Sequence, residues 1–165
     1  MLRAARLDPH LYEEVEVDRR ATVQAMSVVI LVALATGIGS LAVEGGGAGA
    51  LLKGVLLGLV GWALWAFVTY AIGTSLFRTP ETEADWGQLA RTTGFAQSPG
   101  ALRIFGFLPV IGPVIFFAST MWQLAAMVVA VRQALDYQST WRALGVVAVG
   151  FVFLVILQYI FYALR

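Results

Sequence analysis

The stretch Ala25–Val43, AMSVVILVALATGIGSLAV, contains nineteen residues and no charge. As a helix it would be about 28 Å long, close to the hydrocarbon thickness of a bilayer. After a glycine-rich turn at residues 44–49, three longer apolar stretches follow, at Leu51–Phe77, Pro113–Gln133 and Trp141–Leu164. The pattern predicts an all-α fold, a polytopic membrane helical bundle with four full spans.

Charged residues are too few to cover a water-facing surface. They make up 13% of the 165 residues, against 59% hydrophobic residues, whereas a soluble globular domain has about 25% charged residues. The net charge of +1 gives no reason to expect nucleic-acid binding. The chain has no cysteine and a single histidine, so we expect no metal site and no cofactor.

Two segments are polar. Residues 1–24 predict a cytoplasmic amphipathic helix ahead of a transmembrane helical domain of residues 25–165. Asp8 and Pro9 are typical of a helix start, with the aspartate as the cap. An apolar stripe on this helix would lie on the membrane surface or on a neighbouring helix. This apolar stripe of the N-terminal helix consists of Leu7, Leu11 and Val15.

In the loop after the second span, residues 85–91 predict a short surface helix.

The number of crossings depends on the segment before the third long span. Pro99 predicts a helix start, and Pro109 with Pro113 predicts a break and a reversal of direction around residues 110–112. These limits leave a short helix at about 99–108, which is too short to cross a bilayer at full thickness. It makes either a fifth crossing or a re-entrant segment.

The distribution of basic residues favours five crossings weakly. With five crossings, nine of the eleven lysine and arginine residues lie on the side of the N-terminus, and with four crossings eight do. Because basic residues concentrate in cytoplasmic loops, both arrangements place the N-terminus in the cytoplasm, in a cell (inner) membrane.

Four residues are predicted to pack helices together. Gly54 and Gly58 form a G-x-x-x-G motif, which lets two helix backbones approach closely, in a dimer or within one chain. Gln123 and Gln158 are amides inside spans. Each needs a hydrogen-bond partner, so each is expected on a helix–helix contact or along a transport path.

Four other residues are predicted at the membrane–water interface. Arg132, Trp141 and Arg142 surround the last turn and would anchor it or bind lipid head groups. Arg103, in the short helix, would extend to water at its end or contact a ligand. The spans contain no acid or base at depth, no Ser-His-Asp set and no His-x-x-x-His motif. We therefore expect no enzymatic activity.

Several motifs resemble the bacterial branch of the Yip1 family. The resemblance implies a small membrane protein with five spans, a cytoplasmic N-terminus and no settled activity. Binding of Rab-type GTPases is not carried over, because the Asp-Leu-Tyr-Gly-Pro motif of the eukaryotic members is missing. The motifs are Leu7-Asp8-Pro9, Tyr12-Glu13-Glu14-Val15, Asp18-Arg19-Arg20-Ala21-Thr22, Gln24-Ala25, Gly94-Phe95-Ala96-Gln97-Ser98-Pro99-Gly100, Trp122-Gln123-Leu124, Ala130-Val131-Arg132-Gln133-Ala134-Leu135 and Thr140-Trp141-Arg142-Ala143.

Two functions follow as hypotheses. The first is a non-enzymatic scaffold or accessory subunit that packs against other membrane proteins, or against itself, within the membrane lipids. The second is a small transporter or lipid-handling protein, in which the helix before Pro109 is a half-helix at a substrate site.

Overall fold

A computed structural model of the chain describes residues 1–44 and 47–163. Within these ranges the protein is all-helical and contains no strand. The predicted turn residues Gly45 and Gly46, and Leu164 at the predicted end of the last span, lie outside the described residues. The helices are α1 (Leu2–Ala5), α2 (Pro9–Val17), α3 (Ala21–Glu44), α4 (Ala48–Ser75), α5 (Trp86–Ala96), a 3-10 helix (Ser98–Phe107), α6 (Ile111–Ala134) and α7 (Thr140–Ala163).

Four of these helices, α3, α4, α6 and α7, are long and apolar enough to span a membrane, which confirms the predicted membrane bundle. The first two form an antiparallel pair, in which Gly58 of α4 packs on Ala33 of α3 and Gly37 packs on Leu51. The last helix returns beside α4, with Gly150 in contact with Trp65.

A fifth passage between the two ends of the bundle is made by the end of α5 and the 3-10 helix. This stretch runs parallel to α3, because Gly94 packs on Ala25 and Gly106 packs on Gly39. The two contacts are fourteen positions apart on α3, a distance of about 21 Å. The first part of α5 lies across α4, since the Trp86 indole donates to the Ala63 carbonyl and the Trp62 indole donates to the Ala90 carbonyl. The passage therefore begins near Gly94, ahead of the predicted start at Pro99, and most of it is a 3-10 helix.

The prediction of a short surface helix at residues 85–91 is wrong in both the length and the position of the helix. Asp85 does cap a helix, since its side chain accepts from the Gln88 N–H and the Gln88 side chain accepts from the Asp85 N–H. The helix, however, runs to Ala96 and is buried from Leu89 onward. It lies inside because α2, α3, α4 and α6 all pack against it.

The predicted break before α6 is confirmed. The 3-10 helix ends at Phe107, Leu108 is extended, and Val110 has a φ of 66°. The chain then reverses, because Arg103 bonds to Thr120 of α6 while the earlier Gln97 bonds to the later Gln123. The 3-10 helix and α6 therefore run antiparallel.

The N-terminal segment contains two short helices instead of the single helix predicted. Asp8 caps α2 as expected, accepting from the His10 N–H at 3.1 Å. This segment lies on the neighbouring helices α5 and α6, with Leu11 and Val15 buried. The Trp122 indole of α6 donates to the Ala5 carbonyl at 2.7 Å, which fixes the segment on the flank of the bundle.

Candidate functional site

A cavity of about 620 Å³ lies between α3, α4, the 3-10 helix, α6 and α7. Its walls are mostly apolar, and Gly54, Gly58 and Gly61 of α4 line it. A Cβ atom added to Gly54 or Gly61 would meet no atom within 4 Å, whereas one on Gly58 would lie 3.2 Å from the Cβ of Ala33. Of the two predicted packing glycines, Gly58 therefore contacts α3, and Gly54 leaves space that belongs to the cavity.

The cavity opens sideways. Gly54 and Gly61 line it and are nevertheless exposed, and both lie in the apolar span of α4. Phe151 and Leu154 of α7 form the opposite wall. Since the surface of a membrane span faces hydrocarbon, the exposed side of the cavity at these glycines faces lipid.

A cluster of polar side chains forms one wall of this apolar space. The Arg103 guanidinium donates from Nη2 to Gln123 Oε1 at 2.7 Å and to Thr120 Oγ1 at 3.0 Å. Gln123 in turn donates from its amide to Gln97 Oε1. The guanidinium also lies over the Phe116 ring, 4.8 Å from its centroid. Gln123 thus makes the interhelical hydrogen bonds expected of a span amide.

Arg103 does not extend to the interface as the sequence predicted. Its Nη1 atom lies 3.7 Å from the position of a Cβ on Gly100, and Gly100 itself packs on Val32, near the middle of α3. The side chain therefore points toward the middle of the bundle. The reason is the 3-10 geometry, in which residues three apart eclipse each other and Arg103 lies directly over Gly100.

Gln97 and Thr120 belong to the cluster and were missed at the sequence level. A signal was present, because Gln97, Gly100, Arg103 and Gly106 recur at intervals of three, the period of a 3-10 helix. Because 3-10 helices of this length are uncommon, this spacing alone does not predict one.

The charge of Arg103 is not neutralised by a carboxylate among the described side chains, where the ion pairs involve only Arg3 and His10. Nine of the ten carboxylate residues lie in α1–α2 and the loops at the N-terminal end of the bundle, and the tenth, Glu44, ends α3. A cation in an apolar interior is costly unless it is paired. At mid-depth the cavity therefore holds one positive charge that no carboxylate among the described side chains compensates.

The remaining predicted residues lie away from the cavity. Arg132 donates to the Tyr137 carbonyl at 3.1 Å and closes the turn between α6 and α7. Trp141 is 80% exposed, and Arg142 is also exposed. Gln158 is exposed on α7, without the burial expected for a packing amide.

A second cluster joins α2 to α5. Arg91 is buried and donates from Nε to the carbonyl oxygens of Val15 and Glu16, at 3.0 and 3.1 Å. Burial raises the pKa of the Glu16 carboxyl to about 7, with the charges of Asp136 and Glu13 adding to the effect and Arg91 opposing it. Glu16 Oε2 is buried and has no hydrogen-bond partner among the described residues.

Comparison with known proteins identifies the family. The model of the Yip1 domain matches residues 12–160, which is most of the chain and includes every residue of the cavity described above. The chain belongs to the Yip1 family. No curated protein and no solved structure matches it. In this Yip1-family protein the polar cluster and the cavity both lie within the family domain, and the predicted resemblance is confirmed.

Proposed function

We propose that this Yip1-family protein is a non-enzymatic, lipid-handling membrane protein that takes an amphiphilic molecule from the bilayer into its lateral cavity. The observation that carries the proposal is an apolar cavity of about 620 Å³ whose lining includes exposed glycines of the α4 span. Ligand sites in proteins typically have volumes of about 300–1,000 Å³, apolar walls and a few convergent polar groups. The Arg103 cluster supplies the polar groups.

The absence of enzymatic activity is part of the proposal. Among the described residues that line the cavity there is no aspartate, glutamate, histidine, cysteine or tyrosine. These side chains supply most general acids and bases, and a serine or threonine nucleophile needs such a base beside it. The hydroxyls of the wall, on Thr36, Ser40 and Thr120, instead donate to carbonyl oxygens of their own helices. The composition of the wall favours binding over bond chemistry.

The proposed location is the cell (inner) membrane with the N-terminus in the cytoplasm. Eight of the eleven basic residues lie at the N-terminal end of the bundle, in α1–α2, the loops and the helix ends there. Lys53 lies at the opposite end, Arg103 lies inside, and Arg165 is outside the described residues. This bias supports the orientation, since basic residues remain on the cytoplasmic side.

Lipid uptake is testable with a glycine substitution that fills the cavity. Gly54→Leu should fit without a clash, because nothing lies within 4 Å of its Cβ position. Gly49→Leu is the matched control, since Gly49 has equally open surroundings on the same helix and does not line the cavity. Each protein is purified in mild detergent, and its bound lipid is quantified by mass spectrometry.

The wild type and Gly49→Leu should retain the same lipid in stoichiometric amount, and Gly54→Leu should lose it. Equal lipid content in all three proteins, or none in the wild type after transfer from lipid vesicles, would contradict uptake into the cavity.

A scaffold or accessory subunit is the second candidate, and one observation favours it. Gln158 is an exposed amide among the exposed apolar residues Val155, Ile156 and Tyr159 of α7. An amide that faces hydrocarbon lacks hydrogen-bond partners, and a helix of another membrane protein, or of a second copy, would supply one. Gln158→Leu should then reduce co-purification of a fixed partner, with no effect on lipid content.

A further inference from the structure

The unused donors of Arg103 are the starting point. A guanidinium has five N–H groups, and the two bonds to Gln123 and Thr120 both come from Nη2. Nη1 makes no hydrogen bond to a described residue, and Nε is buried without a partner. Arg103 lines the cavity. The Nη1 donors are therefore the part of this charged group that is left to bind a ligand in the cavity.

The neighbours of Arg103 hold it in this orientation. Gln123 and Thr120 of α6 fix Nη2, and Gln97 fixes the Gln123 amide, so the donors on the Nη1 side keep one direction. Gly100 keeps the site open, since a Cβ there would lie 2.6 Å from Val32 and 3.1 Å from Gln123 Oε1. A preorganised guanidinium recognises carboxylate and phosphate oxygens, with which it forms charge-assisted hydrogen bonds.

The rest of the cavity is suited to an apolar chain. From the polar cluster the space extends along Gly54, Gly58 and Gly61 of α4 and reaches Phe151 and Leu154 of α7. A molecule with an anionic head at Arg103 and a hydrocarbon tail along the glycine face would place each part in a matching environment. Its head would also neutralise the uncompensated charge.

We propose that the Arg103–Gln123–Gln97 cluster binds the oxyanion head of an anionic amphiphile, a carboxylate or a phosphate, whose tail lies along the glycine face of α4. This site rests on the proposed function, because it requires that the cavity takes up an amphiphile. To the proposed function this site adds two points, namely that the ligand is anionic and that Arg103 is the residue that selects it.

The experiment measures displacement of a fluorescent fatty acid from the purified protein in detergent. The competitors are oleate and its uncharged counterpart monoolein, and phosphatidic acid and its uncharged counterpart diacylglycerol. The anionic member of at least one pair should displace the probe at a concentration about tenfold or more below that of its neutral member, as a charge-assisted hydrogen bond predicts. The pair that shows the preference identifies the head group as carboxylate or phosphate.

Two variants separate selection by Arg103 from a purely structural role. Arg103→Gln should bind neutral and anionic competitors equally, and Arg103→Lys should retain part of the preference, since it keeps the charge without the planar fork. A wild type that binds both members of each pair equally overturns the site but leaves lipid uptake intact. A wild type that binds none of the probes overturns both. An Arg103→Gln variant that keeps the full preference overturns the assignment to Arg103.

Discussion

Glycine residues act in two opposite ways inside this bundle. Gly39 of α3 and Gly106 of the 3-10 helix meet backbone to backbone, and a Cβ on Gly39 would overlap the carbonyl of Arg103. Gly54 and Gly61 have nothing within 4 Å and leave room for the cavity. The same residue type thus holds one pair of helices together and keeps another space open.

Alanine substitutions should separate these two roles. Gly39→Ala places a methyl group against a backbone carbonyl that cannot move freely, so we expect a loss of about 1–3 kcal/mol in unfolding free energy, as for overpacking. Gly54→Ala should be neutral or stabilising by about 0.5–1 kcal/mol, since alanine favours a helix over glycine. Thermal unfolding in detergent measures both, and equal melting temperatures for the two variants would contradict the backbone contact.

Which polar residues contact other helices was easier to predict than the direction in which their side chains point. Gln123 was expected to bond across helices because a span amide needs a partner, and it does. Arg103 was expected at the interface because an α-helix would leave its side chain free to extend outward. Its true direction depends on a 3-10 helix and on two acceptors from α6, which lie 17 and 20 residues away in sequence and cannot be found from local spacing.

Among the helices, caps and prolines were predictable and burial was not. Asp8 and Pro109 act locally, so the start of α2 and the break before α6 could be predicted from a few residues. The segment of α5 is polar, so its sequence predicts a loop with a short surface helix and not a buried helix. The hydroxyl groups of its threonines make hydrogen bonds within the helix, since Thr92 donates to the Gln88 carbonyl and Thr93 donates to the Leu89 carbonyl. Polar residues with local partners can be buried without penalty.

The docking of α2 should depend on pH through Glu16. In the folded protein its carboxyl keeps a proton up to about pH 7, whereas in the unfolded chain it loses the proton near its ordinary pKa of 4.5. The stabilising effect of the protonated group is therefore complete below about pH 4.5 and disappears as the pH rises to about 7. Above pH 7, an ionised carboxylate lies beside Asp136 and Glu13.

Glu16→Gln, which stays uncharged, should melt at a higher temperature than the wild type at pH 8, and the difference should shrink toward pH 4.5. Glu14→Gln is the control with the opposite sign, because Arg3 holds the pKa of Glu14 below its ordinary value. That variant should melt at a lower temperature than the wild type at pH 8. The same pH trend in both variants would argue against a specific role of Glu16 burial.

The whole molecule combines five passages with a strong difference in the number of charged residues between its ends. The turn at residues 108–110 lies at the end of the bundle opposite α1 and α2, beside Gly39 and Ser40. Its Val110 is 87% exposed and is the one described residue of the turn with a positive φ. This turn is the point at which five crossings and a re-entrant segment differ most.

Single cysteines should report the orientation, since the chain has none of its own. Val110→Cys and Gly49→Cys should react with an impermeant maleimide added to intact cells. Arg19→Cys should react only after permeabilisation. Protection of Val110→Cys while Gly49→Cys is labelled would contradict a fifth crossing, and labelling of Arg19→Cys in intact cells would reverse the orientation.

The most direct test of the central claim, that the cavity holds an amphiphile with its head at Arg103, is photo-crosslinking. An oleate analogue with a diazirine close to its carboxylate is activated on the purified protein, and the adducts are mapped by mass spectrometry. The account predicts adducts on the 3-10 helix or on α6 around Gln123, which unlabelled oleate suppresses and Gly61→Leu removes. Adducts confined to the outer face of α7, insensitive to both, would contradict it.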